Sequence, residues 1–159
     1  MNNKELSTII DDIKLNIRVG AIIKQRDKIL IEKNQNVDFS VIPGGRVKTL
    51  ENSKKALIRE INEELGLDLS NEKFELTAII ENFFIFDSKK YHELYFVYKV
   101  ELTKEYILQD GMLNLDSQDS NYYLLKQKEF QKENILPSVL KEIVLTNEFK
   151  HYIVNNITK

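Results

Sequence analysis

The chain has 159 residues, 42% hydrophobic and 30% charged, which suits one folded domain with a real core and is too apolar for a disordered chain. Lys+Arg 23 against Asp+Glu 25 leave a formal net charge of -2, so no broad basic field favours nucleic acid or a membrane surface. The lack of cysteine excludes disulfides, thiolate zinc sites and a cysteine nucleophile; with no apolar run near membrane length and no apolar leader in "MNNKELSTIIDD", the expectation is a cytoplasmic protein.

In chain order, Asn16 to Lys24 ("NIRVGAIIK") and Lys28 to Lys33 ("KILIEK") are β-rich runs around "QRD" and predict a hairpin. "DFSVIPGG" predicts a short strand broken by Pro43, Gly44 and Gly45. In "NSKKALIREINEELG", Asn52 or Ser53 is a cap and Gly66 a stop, which predicts a helix from Ser53 to Leu65. "KFELTAIIENFFIF" and "KYHELYFVYKVEL", separated by "DSKK", predict two paired strands that are apolar on both faces. Thr103 to Ser120 is polar and long for a connector, and is a lid candidate. "NYYLLK" predicts a strand, and the apolar spacing of the tail from Pro137 predicts a helix. This order implies a mixed α/β fold with helices on both sides of a sheet.

The stretch "REINEELG" crowds Glu60, Glu63 and Glu64 together. At about 100° per residue the three fall within an arc of roughly 100°, beside an apolar arc of Leu57, Ile58, Ile61 and Leu65. Like charges at this spacing repel by a few tenths of a kcal/mol, about what a solvated face tolerates with Arg59 pairing Glu63. A hard divalent cation such as Mg²⁺, which prefers carboxylate oxygens, turns the repulsion into attraction. The fragment alone fits both accounts.

Its surroundings add a pattern. From Gly45 the chain runs five residues to Glu51, seven to Arg59-Glu60-Ile61, one to Glu63-Glu64 and one to Gly66-Leu67. This resembles the signature of the Nudix hydrolases at all nine specified positions, a coincidence of about one in ten million for this composition. The resemblance covers Gly45 to Leu67, with "VIPGG" similar to the usual approach to the motif. It implies a single Nudix domain over residues 1–159, an α/β/α sandwich with a mixed β-sheet between helices. The implied activity is cleavage of a nucleoside diphosphate linked to another moiety, by water attack on phosphorus, with Mg²⁺ or Mn²⁺ as cofactor. Glu60, Glu63 and Glu64 are then the metal-binding and catalytic carboxylates, the Gly45 carbonyl is a further metal ligand, and Glu51 and Arg59 are supporting residues.

The box reads the diphosphate, so a nucleotide sugar such as ADP-ribose, a dinucleoside polyphosphate, a nucleoside triphosphate and a capped RNA end all remain open as substrates. Near-neutral charge disfavours long nucleic acid. A nucleotide-sensing module without turnover is the alternative, and a homodimer is an open expectation, since dimers are common in the family. Outside the box, Glu93 in "YHELYF" is expected to add a catalytic carboxylate, because a charge in a doubly covered strand is costly without a role; Glu81 is the competing choice. His92 falls on the opposite face and is expected to be structural. Phe39, Arg46 and Phe84 are the expected substrate contacts, by stacking on a base or by meeting phosphate.

Overall fold

The computed structural model describes residues 2–106 and 108–157. In chain order the elements are β1 (Ser7–Ile10), β2 (Ile13–Gln25), β3 (Lys28–Asn34), β4 (Ser40–Val41), β5 (Gly44–Arg46), α1 (Ser53–Leu65), β6 (Phe74–Phe86), β7 (Lys89–Glu101), β8 (Met112–Leu113), β9 (Ser120–Lys126), α2 (Gln127–Lys132), α3 (Leu140–Ile143) and β10 (Lys150–Asn155). The strands form one mixed sheet in the order β10-β6-β7-β2-β3-β9-β8, with β1 and β5 on β2 and β4 on β3. β2 runs parallel to β7 from Ile13↔Lys90 to Lys24↔Glu101, and antiparallel to β3 and to β5.

Alternation along β2 decides which side each residue serves. Val19, Ala21 and Ile23 pack with Ala56, Leu57, Ile61 and Leu65 of α1, while Ile22 joins Ile29, Ile31, Ile80 and Val97 against Phe130 of α2 and Leu140 and Ile143 of α3. A sheet buried on both faces needs apolar residues in both registers, as "VGAIIK" supplies. The expected layers are therefore present, although one helical layer consists of two short segments. α1 has the expected bounds: Asn52 Oδ1 accepts from the Lys55 backbone N–H at 2.9 Å, and Gly66 ends the helix at φ 67 in the left-handed conformation. Two tight hairpins turn on non-glycine residues at positive φ, Asp11-Asp12 (49, 62) and Asp87-Ser88 (50, 62), the geometry that matches strand twist.

Two expectations are corrected. Among the described residues the tail is helical only over Leu140–Ile143, and Lys150–Asn155 is a strand lying parallel to β6. Within it Tyr152 is buried and Ile153 exposed, a period of two that the helical spacing before it conceals. The connector from Thr103 to Ser120, expected to be irregular, is anchored at several of its described residues. Its β8 pairs with β9, the Leu115 N–H donates to the Glu64 carbonyl at 2.8 Å, and the Gly111 N–H donates to the Tyr122 carbonyl at 2.8 Å. No helix among the described residues is long and apolar enough to cross a membrane.

Candidate active site

α1 carries the acidic face and the β5 loop is tied to it by one guanidinium. Arg59 donates to Glu51 through Nε (2.8 Å) and Nη2 (2.9 Å), to Glu60 through Nη1 (2.7 Å), to Glu63 through Nη1 (3.2 Å) and to the Arg46 carbonyl through Nη2 (3.0 Å). Glu51 also accepts from the Lys48 N–H at 2.9 Å, so the loop between β5 and α1 is pinned at both ends. The Arg59 hydrogen bond holds the Glu51 carboxyl below its ordinary value. Glu60 moves the other way, raised by burial against the pull of Arg59. Gly45 lies against the Glu60 carboxylate, and a Cβ on Gly45 would overlap it; glycine here gives a backbone carbonyl and a carboxylate room to share one space.

Glu64 sits one turn further on, in a polar knot. Tyr122 Oη donates to Glu64 at 2.8 Å, and Asn114 Nδ2 donates to Tyr122 Oη and to Glu32, both at 3.2 Å. Burial first, and then the negative charge of Glu32, push the Glu64 carboxyl up to about 8. Glu32 was missed in the sequence because a glutamate in "KILIEK" reads as a solvated strand end; its signal was alternation, which puts it on the same face as the buried Leu30.

The donor set tests whether a hard cation fits. Glu60 and Glu64 are crowded with other carboxylates, Glu60 abuts a glycine backbone, and oxygen ligands of this kind suit Mg²⁺ or Mn²⁺. In the structure Glu60 and Glu63 turn to Arg59 and Glu64 to Tyr122, and among the described residues no three acidic or imidazole side chains converge on one point. The chemistry fits. Closing the set would require these carboxylates to leave Arg59 and Tyr122, and Glu63, whose side chain is 41% exposed, is the one most open to water.

On the α2/α3 side of the sheet a cavity of about 450 Å³ opens next to this loop. It brings together Phe39, Arg46, Phe84 and Glu93, four residues singled out above, and adds Arg18 and Tyr95. Phe84 stacks on Tyr91 at 4.8 Å, and Phe39 meets Phe86 edge-on at 5.9 Å. Glu93 is buried with Arg18 Nε 3.9 Å away; burial raises its carboxyl, opposed by Arg18 and by hydrogen bonds from Asn82 and Asn16. Arg18 loses hydration but lies among Glu93, Tyr95, Glu32 and Glu64, whose fields hold its charge. It therefore stands between the cavity and the carboxylates. Glu81 instead pairs with His151 at 2.7 Å on the more exposed side, and His92 packs on Phe83 at 4.6 Å.

A sequence profile described as NUDIX domain matches residues 14–136. The chain belongs to the Nudix family. The matched segment contains the whole box and the cavity's central strands, while β1, α3 and β10 lie outside it. This Nudix chain is 26% identical over 126 residues to the fowlpox virus (strain NVSL) protein named mRNA-decapping protein D10, covering 74% of this chain and 53% of the relative. It is 41% identical over 63 residues to the 8-oxo-dGTP diphosphatase of Buchnera aphidicola subsp. Schizaphis graminum (strain Sg), covering 37% and 48%. The chain thus spans about half the length of these relatives. In structure it resembles the mMutator MutT protein from Bacillus halodurans, with a TM-score of 0.70 over 91% of this chain and 93% of that one at 16% identity, a likeness of fold.

Proposed function

We propose that residues 1–159 form one pyrophosphohydrolase domain that depends on Mg²⁺ or Mn²⁺ and cleaves a nucleoside diphosphate linked to another moiety by attack of water on phosphorus. The observation that carries this reading is the junction at β5: Gly45 presses on the Glu60 carboxylate, and its neighbour Arg46 lines the aromatic cavity. A ligand seated in the cavity would extend its phosphates past Arg46 and Arg18 towards the glutamates. Gly45, Glu60, Glu63 and Glu64 would hold the metal, which when bound neutralises diphosphate charge and lowers the pKa of water. One of the box glutamates, or Glu32 outside the box, would orient the water or accept its proton. Arg59 and Glu51 position the loop, and Phe39, Phe84 and Glu93 belong to the substrate side.

The lack of a basic field supports small nucleotides over long RNA. The relatives' names widen the test to capped RNA ends and 8-oxo-dGTP. A sensor without turnover has one observation in its favour, the engagement of all three box glutamates by Arg59 and Tyr122. Product release from ADP-ribose, a dinucleoside polyphosphate, nucleoside triphosphates, 8-oxo-dGTP and a capped oligonucleotide, each with Mg²⁺ or Mn²⁺, separates the two. Cleavage that disappears with chelator and in Glu64→Gln is the expected result. Metal-dependent binding without cleavage of any member would replace hydrolysis with sensing.

A further inference from the structure

The segment before β1 is stitched to the loop that follows β5. The Leu6 N–H donates to the Val47 carbonyl at 2.8 Å and the Thr49 N–H to the Lys4 carbonyl at 2.9 Å, with Glu5 and Lys48 forming a β-bridge between them. On its other side the Ile17 N–H donates to the Leu6 carbonyl at 3.0 Å, and β1 continues this pairing on β2 from Ser7↔Asn16. Backbone bonds to two elements thus fix where the Glu5 side chain starts. From there Glu5 Oε2 accepts from Arg46 Nη1 at 2.9 Å.

Arg46 has need of such a partner. Register sets it directly opposite Arg18 on the antiparallel pair of β5 and β2, and both residues line the cavity. Side chains so placed start about 5 Å apart, and like charges there repel. Each of the two has its own carboxylate: Glu93 lies 3.9 Å from Arg18 Nε, and Glu5 takes Arg46. The field of Arg46 also reaches Glu93, and that of Glu5 reaches Glu60, so the Glu5–Arg46 pair stands between the cavity and the box helix.

The contact leaves a fork open. Arg59 grips Glu51 side-on through Nε and Nη2, whereas Glu5 meets Arg46 at the opposite nitrogen, Nη1. Arg46 Nε is buried with no hydrogen-bond partner among the described residues, and a desolvated donor without an acceptor is costly. Two guanidiniums facing one cavity, one of them with its Nε–Nη2 edge unused, suit the closely spaced oxygens of a diphosphate.

We propose that Glu5 is a positioning residue of the active site, which holds Arg46 by Nη1 so that Arg46 and Arg18 together clamp the diphosphate of the substrate. This deepens the functional reading above and rests on it for the ligand's being a diphosphate. It brings into the site a residue that lies outside the segment matched by the family profile. The opposite role, an internal anion that phosphate must displace, would put the carboxylate on the Nε–Nη2 edge, which Glu5 leaves open.

The test measures binding of imidodiphosphate, which has no P–O–P bridge to hydrolyse, by calorimetry with Mg²⁺ present. The Glu5 and Arg46 side chains are 46% and 37% exposed, so their pair adds little to stability and the variants should melt with the wild type. Arg46→Met should weaken binding by at least about tenfold, since it removes hydrogen bonds to a charged ligand. Glu5→Met should weaken it by about three- to tenfold, and Glu5→Gln, which keeps an oxygen for Nη1, by less. Because Glu5 acts only through Arg46, the double variant should bind as Arg46→Met alone does. Wild-type or tighter binding by Glu5→Met, losses that add in the double variant, or no binding by the wild type would each overturn the proposal. Hydrolysis is scored separately with the nucleotide panel. A clamp that passes in a chain that cleaves no nucleotide stands while hydrolysis falls; turnover with independent Glu5 and Arg46 sinks the clamp alone.

Discussion

Arg59→Met removes a guanidinium and keeps a side chain of similar reach. The cation it deletes satisfies Glu51 and Glu60, whose side chains are only 14% and 10% exposed. Its contact with the more exposed Glu63 is worth well under about 1 kcal/mol. Removing one partner of a buried ion pair costs about 3 to 5 kcal/mol, because the other charge is left without compensation. Arg59 is itself 21% exposed, so water reaches part of the gap and the lower end, about 3 kcal/mol, is the expected loss. For a chain of this size that is a fall of about 6 to 12 °C in melting temperature. The assay is thermal unfolding by circular dichroism of the wild type, Arg59→Met, Glu51→Gln and the double variant. The bidentate contact at 2.8 and 2.9 Å predicts a coupling of about 2 kcal/mol between the two sites. Additive losses, or an Arg59→Met variant melting within about 2 °C of wild type, would refute the view that this arginine clamps the loop to the helix.

Glu64→Gln should reduce hydrolysis by at least about 100-fold while melting near the wild-type temperature, because the amide keeps an oxygen that can accept from Tyr122 Oη; retained turnover would remove Glu64 from the chemistry. Leu57→Ala, at a site with 0% exposure, should cost about 2 to 5 kcal/mol, measurable by urea denaturation, and an unchanged midpoint would contradict the orientation of α1. Glu133 accepts from Ser40 at 2.6 Å and pairs with Lys33 at 3.1 Å, and these hold its carboxyl below the ordinary 4.5. A lowered folded-state pKa stabilises above the ordinary value and is lost as pH falls through the folded one. Wild type should therefore exceed Glu133→Gln by about 1 kcal/mol at pH 7, with the gap closing below pH 4.5; a gap that persisted in acid would show packing to be the cause.

What the sequence reveals most clearly is what short-range chemistry determines. The limits of α1 follow from Asn52 and Gly66, and the box needs only spacing along one helix and its preceding loop. β10 escapes such reading because its partner, β6, lies far back in the chain, and nothing local tells a strand there from the end of a helix. β1 escapes because its turn is made by Asp11 and Asp12 at positive φ, where Asn-Gly would have announced it. Arg18 had a signal in principle: it is the lone charge inside "NIRVGAII", sharing a face with Asn16. Its value depends on Glu93 and Glu64 arriving beside it from distant elements. Phe39, Arg46, Phe84 and Glu93 were named singly, and it takes the pairing of β6 with β7, of β5 with β2, and the chain leading into β4 to gather them into one cavity.

The β2–β7 ladder also has a consequence in time. Asn16 and Glu93 are partners across it yet stand 77 positions apart. At about 5 to 20 residues per second of synthesis, the β7 edge of β2 waits roughly 4 to 15 seconds for its neighbour after emerging. Meanwhile β3 can fold back on β2, but Ala21, Ile22 and Ile23 present an unpaired apolar edge to every other nascent chain nearby. Prompt arrival of the β6–β7 hairpin as a preformed unit would close that window. Substitutions that slow its Asp87-Ser88 turn should therefore lower soluble yield from cells more than they lower the stability of whatever protein is recovered.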